Sequence, residues 1–178
     1  MTDPTDLRYP VGRFERPEEP VTPAQRRAWI GALEAAPAQL RAAAEGLTDA
    51  QLDTPYRPGG WTVRQVIHHV PDSHLNAYVR CKWALTEDAP AIKTYDEKAW
   101  AEQPEARTGP IAPSLALLEA LHTRWVAALH ALPADAFQRT IRHPEWGSIS
   151  LDALLALYAW HGRHHVAHIT ALRAREGW

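Results

Sequence analysis

The sequence predicts an all-α protein, a four-helix bundle with a long crossover connection and a short irregular hairpin before the last helix. Three observations support this fold class. Apolar side chains recur at helical spacing in four separate segments. Capping residues stand in front of these segments, and stretches rich in proline and glycine separate them. Because four amphipathic helices can bury their apolar faces against one another, we expect a bundle that forms a single domain over residues 1–178.

The first half of the chain should contain an extended arm and two helices. Residues 1–21 are rich in proline and show no sustained period, so we expect an arm packed on the body of the protein. Thr22, followed by a proline, predicts the start of the first helix, which Pro37 should kink. Residues 53–60 hold two prolines and two glycines and should form a loop. Thr62 and the glutamine three residues later form a capping-box pattern that predicts the second helix.

The second half should contain the crossover, the hairpin and two further helices. Residues 86–113 include four prolines and should form the long crossover. Ser114 is the predicted N-cap of the third helix. Two short segments, residues 137–142 and 148–150, suggest an irregular hairpin. Ser150 should then cap the fourth helix.

Composition excludes several classes of protein. The 178 residues carry a net charge of −2, and the 19 lysines and arginines are scattered, so binding to nucleic acid has no electrostatic support. No apolar run approaches the roughly 20 residues that span a bilayer. Residues 1–23 lack the apolar segment of a secretory signal, so we expect a cytoplasmic protein without a membrane partner. The single cysteine, Cys81, excludes an internal disulfide framework and should be a buried structural thiol.

Four histidines lie within eight positions of the predicted fourth helix. His161 and His165 fall in the middle of its apolar stripe and point the same way, because residues four apart on a helix are neighbours. Two such imidazoles can reach one metal ion. His164 and His168 form a second pair nearer the edge of the stripe, and we rank it second. The alternative is that these histidines only hydrogen-bond to neighbouring helices.

The second helix supplies candidates for a third metal ligand. A helical wheel places His69 at the margin of the apolar side and His68 closer to solvent, so His69 is the better candidate. His74 is central on the apolar side but lies more than one turn further along. We therefore expect it to line the site or to hold a ligand in place. Pro71 is unexpected inside this helix, and a kink there could adjust the aim of His69.

Several motifs in the same order resemble the YfiT-type members of the DinB superfamily. They are Tyr9–Gly12, Trp61–His69, Asp72–Asn76, Ile92–Trp100 and Tyr158–His161. The resemblance runs from about residue 7 to the last residue. It implies a divalent metal ion bound by His69, His161 and His165. It also implies a metal-dependent hydrolase or a thiol S-transferase that uses bacillithiol, and it makes a homodimer plausible.

The preferred functional hypothesis is a metal-dependent S-transferase that joins a low-molecular-weight thiol, such as bacillithiol, to an electrophilic small molecule through a metal-bound thiolate. Three neutral imidazoles around one zinc ion per chain, or around nickel, leave an open coordination position that a thiol could occupy. If water occupies it, the protein is a hydrolase. A third hypothesis is a non-catalytic, stress-associated protein whose ion only fastens the bundle.

Other side chains are weaker candidates for the substrate pocket or for support of the ligands. Trp100, Tyr158 and Trp160 could wall an apolar pocket for the electrophile, although each could equally be ordinary core. His168 could support a ligand. The arginines at 64, 80 and 163 could pair with carboxylates of a sugar-malate thiol, although helix arginines are usually solvated.

Overall fold

Four long helices and a small hairpin form the body of the protein in the computed structural model, which describes residues 6–178. The helices, in chain order, are α1 (Pro23–Ala44), α2 (Asp49–Leu52), α3 (Val63–Thr86), α4 (Glu97–Ala101), α5 (Pro104–Thr108), α6 (Ala112–His130) and α7 (Leu151–Glu176). A 3₁₀ helix, Ala134–Gln138, and the antiparallel strands β1 (Thr140–His143) and β2 (Gly147–Ser150) precede α7. The prediction of an all-α four-helix bundle with a hairpin before its last helix is confirmed. Within residues 6–178, no helix is both long and apolar enough to cross a membrane.

Three of the four predicted caps start the long helices. Thr22 and Thr62 accept hydrogen bonds from the backbone of the glutamines three residues on, whose side chains bond back to the cap residues. Ser150 Oγ accepts from the backbone N–H of Ala153 at 3.2 Å. The prediction for Ser114 is wrong. α6 already begins at Ala112, so Ser114 lies in its first turn, where its hydroxyl contacts a histidine of α3 instead of a helix end.

The crossover contains two short helices, α4 and α5, that the sequence did not indicate. Both pack against α3. Gln65 of α3 donates from Nε2 to the carbonyl oxygen of Ala101 at 2.8 Å, and Arg64 donates to the carbonyl of Gly109 at 3.0 Å. Arg64 also pairs with Asp49 and Asp53, and its guanidinium is therefore committed to the fold.

The four long helices pack in an order that differs from their order along the chain. α1 packs against α6 and α7, and α3 packs against the same two helices. Helix α1 therefore faces α3 across the bundle, and α6 faces α7. The arrangement makes α3 and α7 direct neighbours, although about half of the chain lies between His69 and His161.

Two apolar clusters fill the bundle, one at each end. From α3 and α7, one cluster includes Ala77, Cys81, Ala84, Leu151, Ala153, Leu154, Leu155 and Tyr158. From the same helices, the other includes Val63, Val66, Ile67, Val70, Ile169 and Leu172. Between the two clusters, helices α3 and α7 carry buried histidines. The centre of the bundle is thus a polar layer between the two apolar clusters. This histidine layer consists of His69, His74, His122, His161, His164, His165 and His168.

A buried ion pair ties α1 to the start of α7. Arg26 donates two hydrogen bonds of 2.8 Å to the carboxylate of Asp152, whose residue is only 1% exposed. Gln138 donates a third hydrogen bond to the same carboxylate at 2.9 Å. Because all of these donors face one carboxylate, its burial is compensated.

The described part of the N-terminal arm, residues 6–21, follows α7 in the opposite direction. The guanidinium of Arg16 donates to the carbonyl of Ser148, and Trp160 Nε1 donates to the carbonyl of Gly12 at 3.1 Å. Further along, His168 Nε2 lies 3.2 Å from the carbonyl oxygen of Arg8. The arm thereby reaches the histidine layer.

Candidate metal centre

Three imidazoles converge at the boundary between α3 and α7. One ligand atom from each of His69, His161 and His165 lies within 4.8 Å of the other two. His69 Nε2 and His161 Nε2 are 3.3 Å apart, and the rings of His161 and His165 have centroids 4.5 Å apart. Among residues 6–178, no other group of three potential ligands from histidine, cysteine, aspartate or glutamate is as close together.

The distances fit one divalent cation. Two nitrogens bound tetrahedrally at about 2.0–2.1 Å from zinc are about 3.3–3.4 Å apart, which matches the separation between His69 and His161. Two imidazole nitrogens at this separation need a proton or a cation between them, because their lone pairs otherwise repel each other. The donor set is all nitrogen, which suits zinc and nickel.

The histidines are in the protonation state that binds metals. Burial, with a smaller contribution from His168, lowers the pKa of His69 to about 4. Burial likewise lowers the pKa of His161 and that of His165 well below the ordinary value, with the surrounding histidines adding to the effect. All three rings are therefore neutral near pH 7, and each has one free lone pair.

Other histidines lie within hydrogen-bond distance of the Nδ1 atoms of His161 and His165. His74 is fully buried, and its Nε2 lies 3.1 Å from Nδ1 of His161. His74 Nδ1 in turn lies 2.8 Å from Nε2 of His122, a buried residue of α6. On the other side, His168 Nδ1 lies 3.4 Å from Nδ1 of His165. The ring of His69 packs against Trp61 at 4.7 Å between centroids.

A cavity of about 360 Å³ leads to the three imidazoles, all of which line it. Much of the remaining wall is aromatic. These aromatic residues are Trp61, Tyr95, Trp146, Tyr158 and Trp160. The wall therefore combines an apolar surface with a few polar groups, as small-molecule sites do.

Two charged residues, Arg80 and Glu97, line the cavity, and of these only Arg80 is buried. Arg80 is only 8% exposed, and its Nη2 donates to the carbonyl of Lys93 at 3.1 Å. Among residues 6–178, no carboxylate lies within 4 Å of its guanidinium. Burial raises the pKa of the neighbouring Tyr158, and a hydrogen bond from Ser73 together with the positive charge of Arg80 partly opposes that rise. A buried guanidinium without an acidic partner can bind an anion.

Comparison with known proteins agrees with this architecture. The sequence model of the DinB superfamily matches residues 32–169, which is most of the chain and includes all three converging histidines. The chain belongs to the DinB superfamily.

Relatives within the DinB superfamily match almost the full length. A protein of Bacillus subtilis strain 168, named YfiT and described as a candidate metal-dependent hydrolase, is 51% identical over 174 residues, covering 97% of each chain. A relative from Bacillus cereus strain 03BB102 with the same kind of name is 52% identical over 173 residues, covering 97% of this chain and 99% of its own.

Two solved structures share the fold. The structure of Bacillus subtilis YfiT, described as a four-helix bundle of unusual topology, superposes with a TM-score of 0.94 at 51% identity and covers 97% of this chain and 98% of YfiT. Another four-helix bundle protein superposes with a TM-score of 0.55 at 23% identity, covering 84% of this chain and 98% of its own. The second likeness supports the four-helix-bundle fold alone.

The other predicted residues lie at varied distances from this DinB site. Tyr158 lines the cavity, whereas His74 and His168 lie behind the converging rings. Trp100 does not line the cavity. It is 43% exposed, and its ring packs on Tyr95, which occupies the wall instead. His164 stacks on Trp160 at 4.3 Å and stays outside the group of three.

The expectation for His68 is corrected. This residue is buried, with Nδ1 2.7 Å from the hydroxyl of Ser114 and Nε2 3.4 Å from the carbonyl of Gly109. The helical wheel placed it near solvent because the wheel does not include the crossover, which covers this side of α3.

The sequence reasoning missed Tyr95, Trp146 and His143, all of which line the cavity. Tyr95 comes from the crossover, and the other two come from the hairpin, where their rings stack at 5.0 Å between centroids. The only sequence signal was a set of aromatic residues in segments without periodicity, which does not reveal which wall they form.

A larger groove, about 940 Å³, runs between α1 and α6. Alkyl side chains make up about half of its lining, and the polar residues of the lining are Glu34, Arg41, Glu45, Glu119, His122, Thr123 and His130. None of the three converging histidines borders this groove, so we take the smaller cavity as the candidate active site.

Proposed function

We propose that the protein is a metal-dependent S-transferase that joins a low-molecular-weight thiol carrying an acidic group, such as bacillithiol, to electrophilic small molecules. The observation that carries the proposal is the cavity itself. It combines three neutral imidazoles that fit one cation with a buried guanidinium that has no acidic partner among residues 6–178. One site thus offers both activation of a nucleophile and recognition of a carboxylate.

His69, His161 and His165 would hold the cation, zinc or nickel, one per chain. A cation on three imidazoles keeps an open coordination position and lowers the pKa of a thiol or water that enters it. The imidazoles must stay neutral in order to bind the cation. Burial keeps them neutral by lowering their pKa values.

Arg80 would orient the thiol. Its guanidinium can donate two parallel hydrogen bonds to a carboxylate, which is a geometry that lysine cannot provide. The aromatic wall would hold an apolar electrophile beside the sulfur while excluding water. In the reaction, sulfur forms a bond to the electrophilic carbon, the leaving group departs with its electron pair, and the thiol proton passes to solvent.

A thiol panel tests this proposal. Zinc-loaded protein would be incubated with monochlorobimane and either bacillithiol, glutathione, cysteine or no thiol, and the fluorescent conjugate would be measured. We expect conjugation, with release of chloride, that is fastest with an acidic thiol. The His165→Ala variant should give only the background rate. An absence of acceleration with every thiol would refute the transferase proposal.

Hydrolysis is the second candidate, and the names of the YfiT relatives favour it. The same cavity would then admit water in place of the thiol. Product formation from an ester or amide substrate without any thiol, lost in the His165→Ala variant, would support this candidate. If neither reaction occurs and chelation sharply lowers the melting temperature, the ion serves only to fasten the bundle.

A further inference from the structure

A proline in α1 leaves one main-chain carbonyl free in the centre of the bundle. In a regular helix the carbonyl of Leu33 would accept a hydrogen bond from the N–H of residue 37, but this residue is Pro37, which has no N–H. The freed oxygen lies 2.6 Å from Nδ1 of His122. A carbonyl can only accept, so His122 must carry its proton on Nδ1.

This proton fixes the polarity of a chain of imidazoles. His122 is buried, and burial lowers its pKa, so the ring is neutral and its Nε2 can only accept a hydrogen bond. Nδ1 of His74, 2.8 Å away, must then be the donor. By the same reasoning His74 Nε2 accepts from Nδ1 of His161 at 3.1 Å. The remaining nitrogen of His161, Nε2, is left without a proton and faces His69.

A second, shorter chain serves His165. The carbonyl of Arg8, in the N-terminal arm, lies 3.2 Å from Nε2 of His168 and can only accept, so His168 is protonated there. Its Nδ1 then accepts from Nδ1 of His165 across 3.4 Å. This hydrogen bond is long, but its direction is the same. Nε2 of His165 is again the nitrogen without a proton.

We propose that these two hydrogen-bonded chains, each ending on a main-chain carbonyl, fix the tautomers of His161 and His165 so that both Nε2 lone pairs are available to the metal ion. His74, His122 and His168 are therefore positioning residues. The inference rests on the metal site of the proposed function, but it does not depend on which reaction that site performs.

The opposite tautomers would weaken metal binding. If His74 lost its acceptor, its proton could move to Nε2, and His161 would then have to accept on Nδ1 and carry its own proton on Nε2. That proton would point at the cation. Partners that orient metal-bound histidines are typically worth about 10–100-fold in metal affinity.

The tautomers can be measured without metal or substrate. In chelator-treated full-length protein labelled with ¹⁵N-histidine, NMR chemical shifts and couplings distinguish a protonated nitrogen from a free one. We expect Nδ1–H at His74, His122, His161 and His165, and Nε2–H at His168. Nε2–H at His161 or His74 would overturn the proposal for the first chain, and Nδ1–H at His168 would overturn it for the second.

Substitutions test the consequence for the metal. His122→Leu removes both the donor and the acceptor and should weaken zinc binding about 10–100-fold in a competition assay. His122→Gln can still donate to Leu33 and accept from His74, and it should recover most of that loss. His164→Leu changes another buried histidine, outside both chains, and should leave zinc affinity within about threefold of the starting value.

The controls separate this inference from the proposed function. If His122→Leu melts well below the starting protein without zinc, the pair His74→Leu and His74→Gln provides the same comparison, because only the glutamine can keep both hydrogen bonds of His74. Equal losses of affinity in His122→Leu and His122→Gln would refute the role of polarity. Correct tautomers without any thiol conjugation would leave the chains standing and refute the transferase, whereas conjugation with the opposite tautomers would do the reverse.

Discussion

At the scale of single residues, neighbours in the sequence have different roles in the histidine layer. His164 and His165 are equally buried, at 7% exposure each. His165 faces the other two candidate ligands, whereas His164 stacks on Trp160 and its Nδ1 has no hydrogen-bond partner among the described residues. Adjacent residues on a helix point about 100° apart, which is enough to separate a ligand from a packing residue.

This difference gives a matched pair of variants. His165→Ala should abolish stoichiometric metal binding because only two imidazoles remain, whereas His164→Ala should keep about one ion per chain. Elemental analysis after dialysis would measure both. Loss of the ion from His164→Ala alone would assign the site to the second pair of histidines.

The role of Arg80 can be tested by the charge of the thiol. Replacing it by glutamine should raise the KM for bacillithiol or glutathione about tenfold or more, because a hydrogen bond to a charged group contributes about 1.5–3 kcal/mol. The KM for a neutral thiol such as 2-mercaptoethanol should change little. Arg163→Gln is the control, since Arg163 is exposed. An equal rise in KM for neutral and acidic thiols would contradict a carboxylate-binding role.

At the scale of elements, Pro37 links a helix to the histidine layer. Pro37→Ala should stabilise α1, since proline inside a helix costs about 3 kcal/mol. It should nevertheless weaken zinc binding by a few fold, because the new N–H competes with His122 for the Leu33 carbonyl. Thermal melting of the metal-free protein and zinc competition would measure the two effects. Unchanged zinc affinity would mean that the carbonyl accepts both bonds.

The ion pair between α1 and α7 should contribute strongly to stability. Arg26→Met leaves Asp152 buried without its charged partner and should lower the free energy of unfolding by about 3–5 kcal/mol. Arg41→Met breaks the exposed pair with Glu119 and should cost only about 0–1 kcal/mol. Urea denaturation of the metal-free variants would compare them. Similar losses in both would show that burial adds nothing to the pair.

The long elements could be predicted from the sequence because their signals are local. Thr22, Thr62 and Ser150 mark helix starts by hydrogen bonds within one turn. Helices α4 and α5 could not be predicted, since five residues are too few to show a period. Because these helices were not predicted, the burial of His68 beneath the crossover was not predicted either.

The same distinction applies to the site. The histidines on α3 and α7 could be singled out because helical spacing determines which residues share a face. The cavity wall could not, because Tyr95 and Trp146 lie in the crossover and the hairpin, whose positions depend on tertiary packing. The link between Pro37 and His122 also joins two separate helices, and no local pattern reveals it.

At the scale of the whole molecule, the histidine layer makes stability depend on pH. Burial lowers the pKa of His69 and of His168 to about 4, that of His164 to about 3, and that of the other layer histidines in the same direction. These folded-state values lie below the ordinary value of 6.5, so the unfolded chain takes up protons first as the pH falls.

The stability of the metal-free protein should therefore be complete above about pH 6.5 and decline towards pH 4. Each histidine that is protonated only in the unfolded chain contributes a slope of about 1.4 kcal/mol per pH unit. Urea denaturation at several pH values would measure the slope, and several histidines acting together should make it steep. A free energy of unfolding that is constant between pH 6.5 and 5 would contradict this expectation.

The contact between the arm and α7 has a reciprocal consequence. Because the Arg8 carbonyl bonds to His168 and His168 bonds to His165, a bound cation and a docked arm favour each other by the same free energy. Cleavage by a protease near residue 8 should consequently weaken metal binding, although it removes none of the three ligands. Loading the protein with zinc would, for the same reason, slow that cleavage.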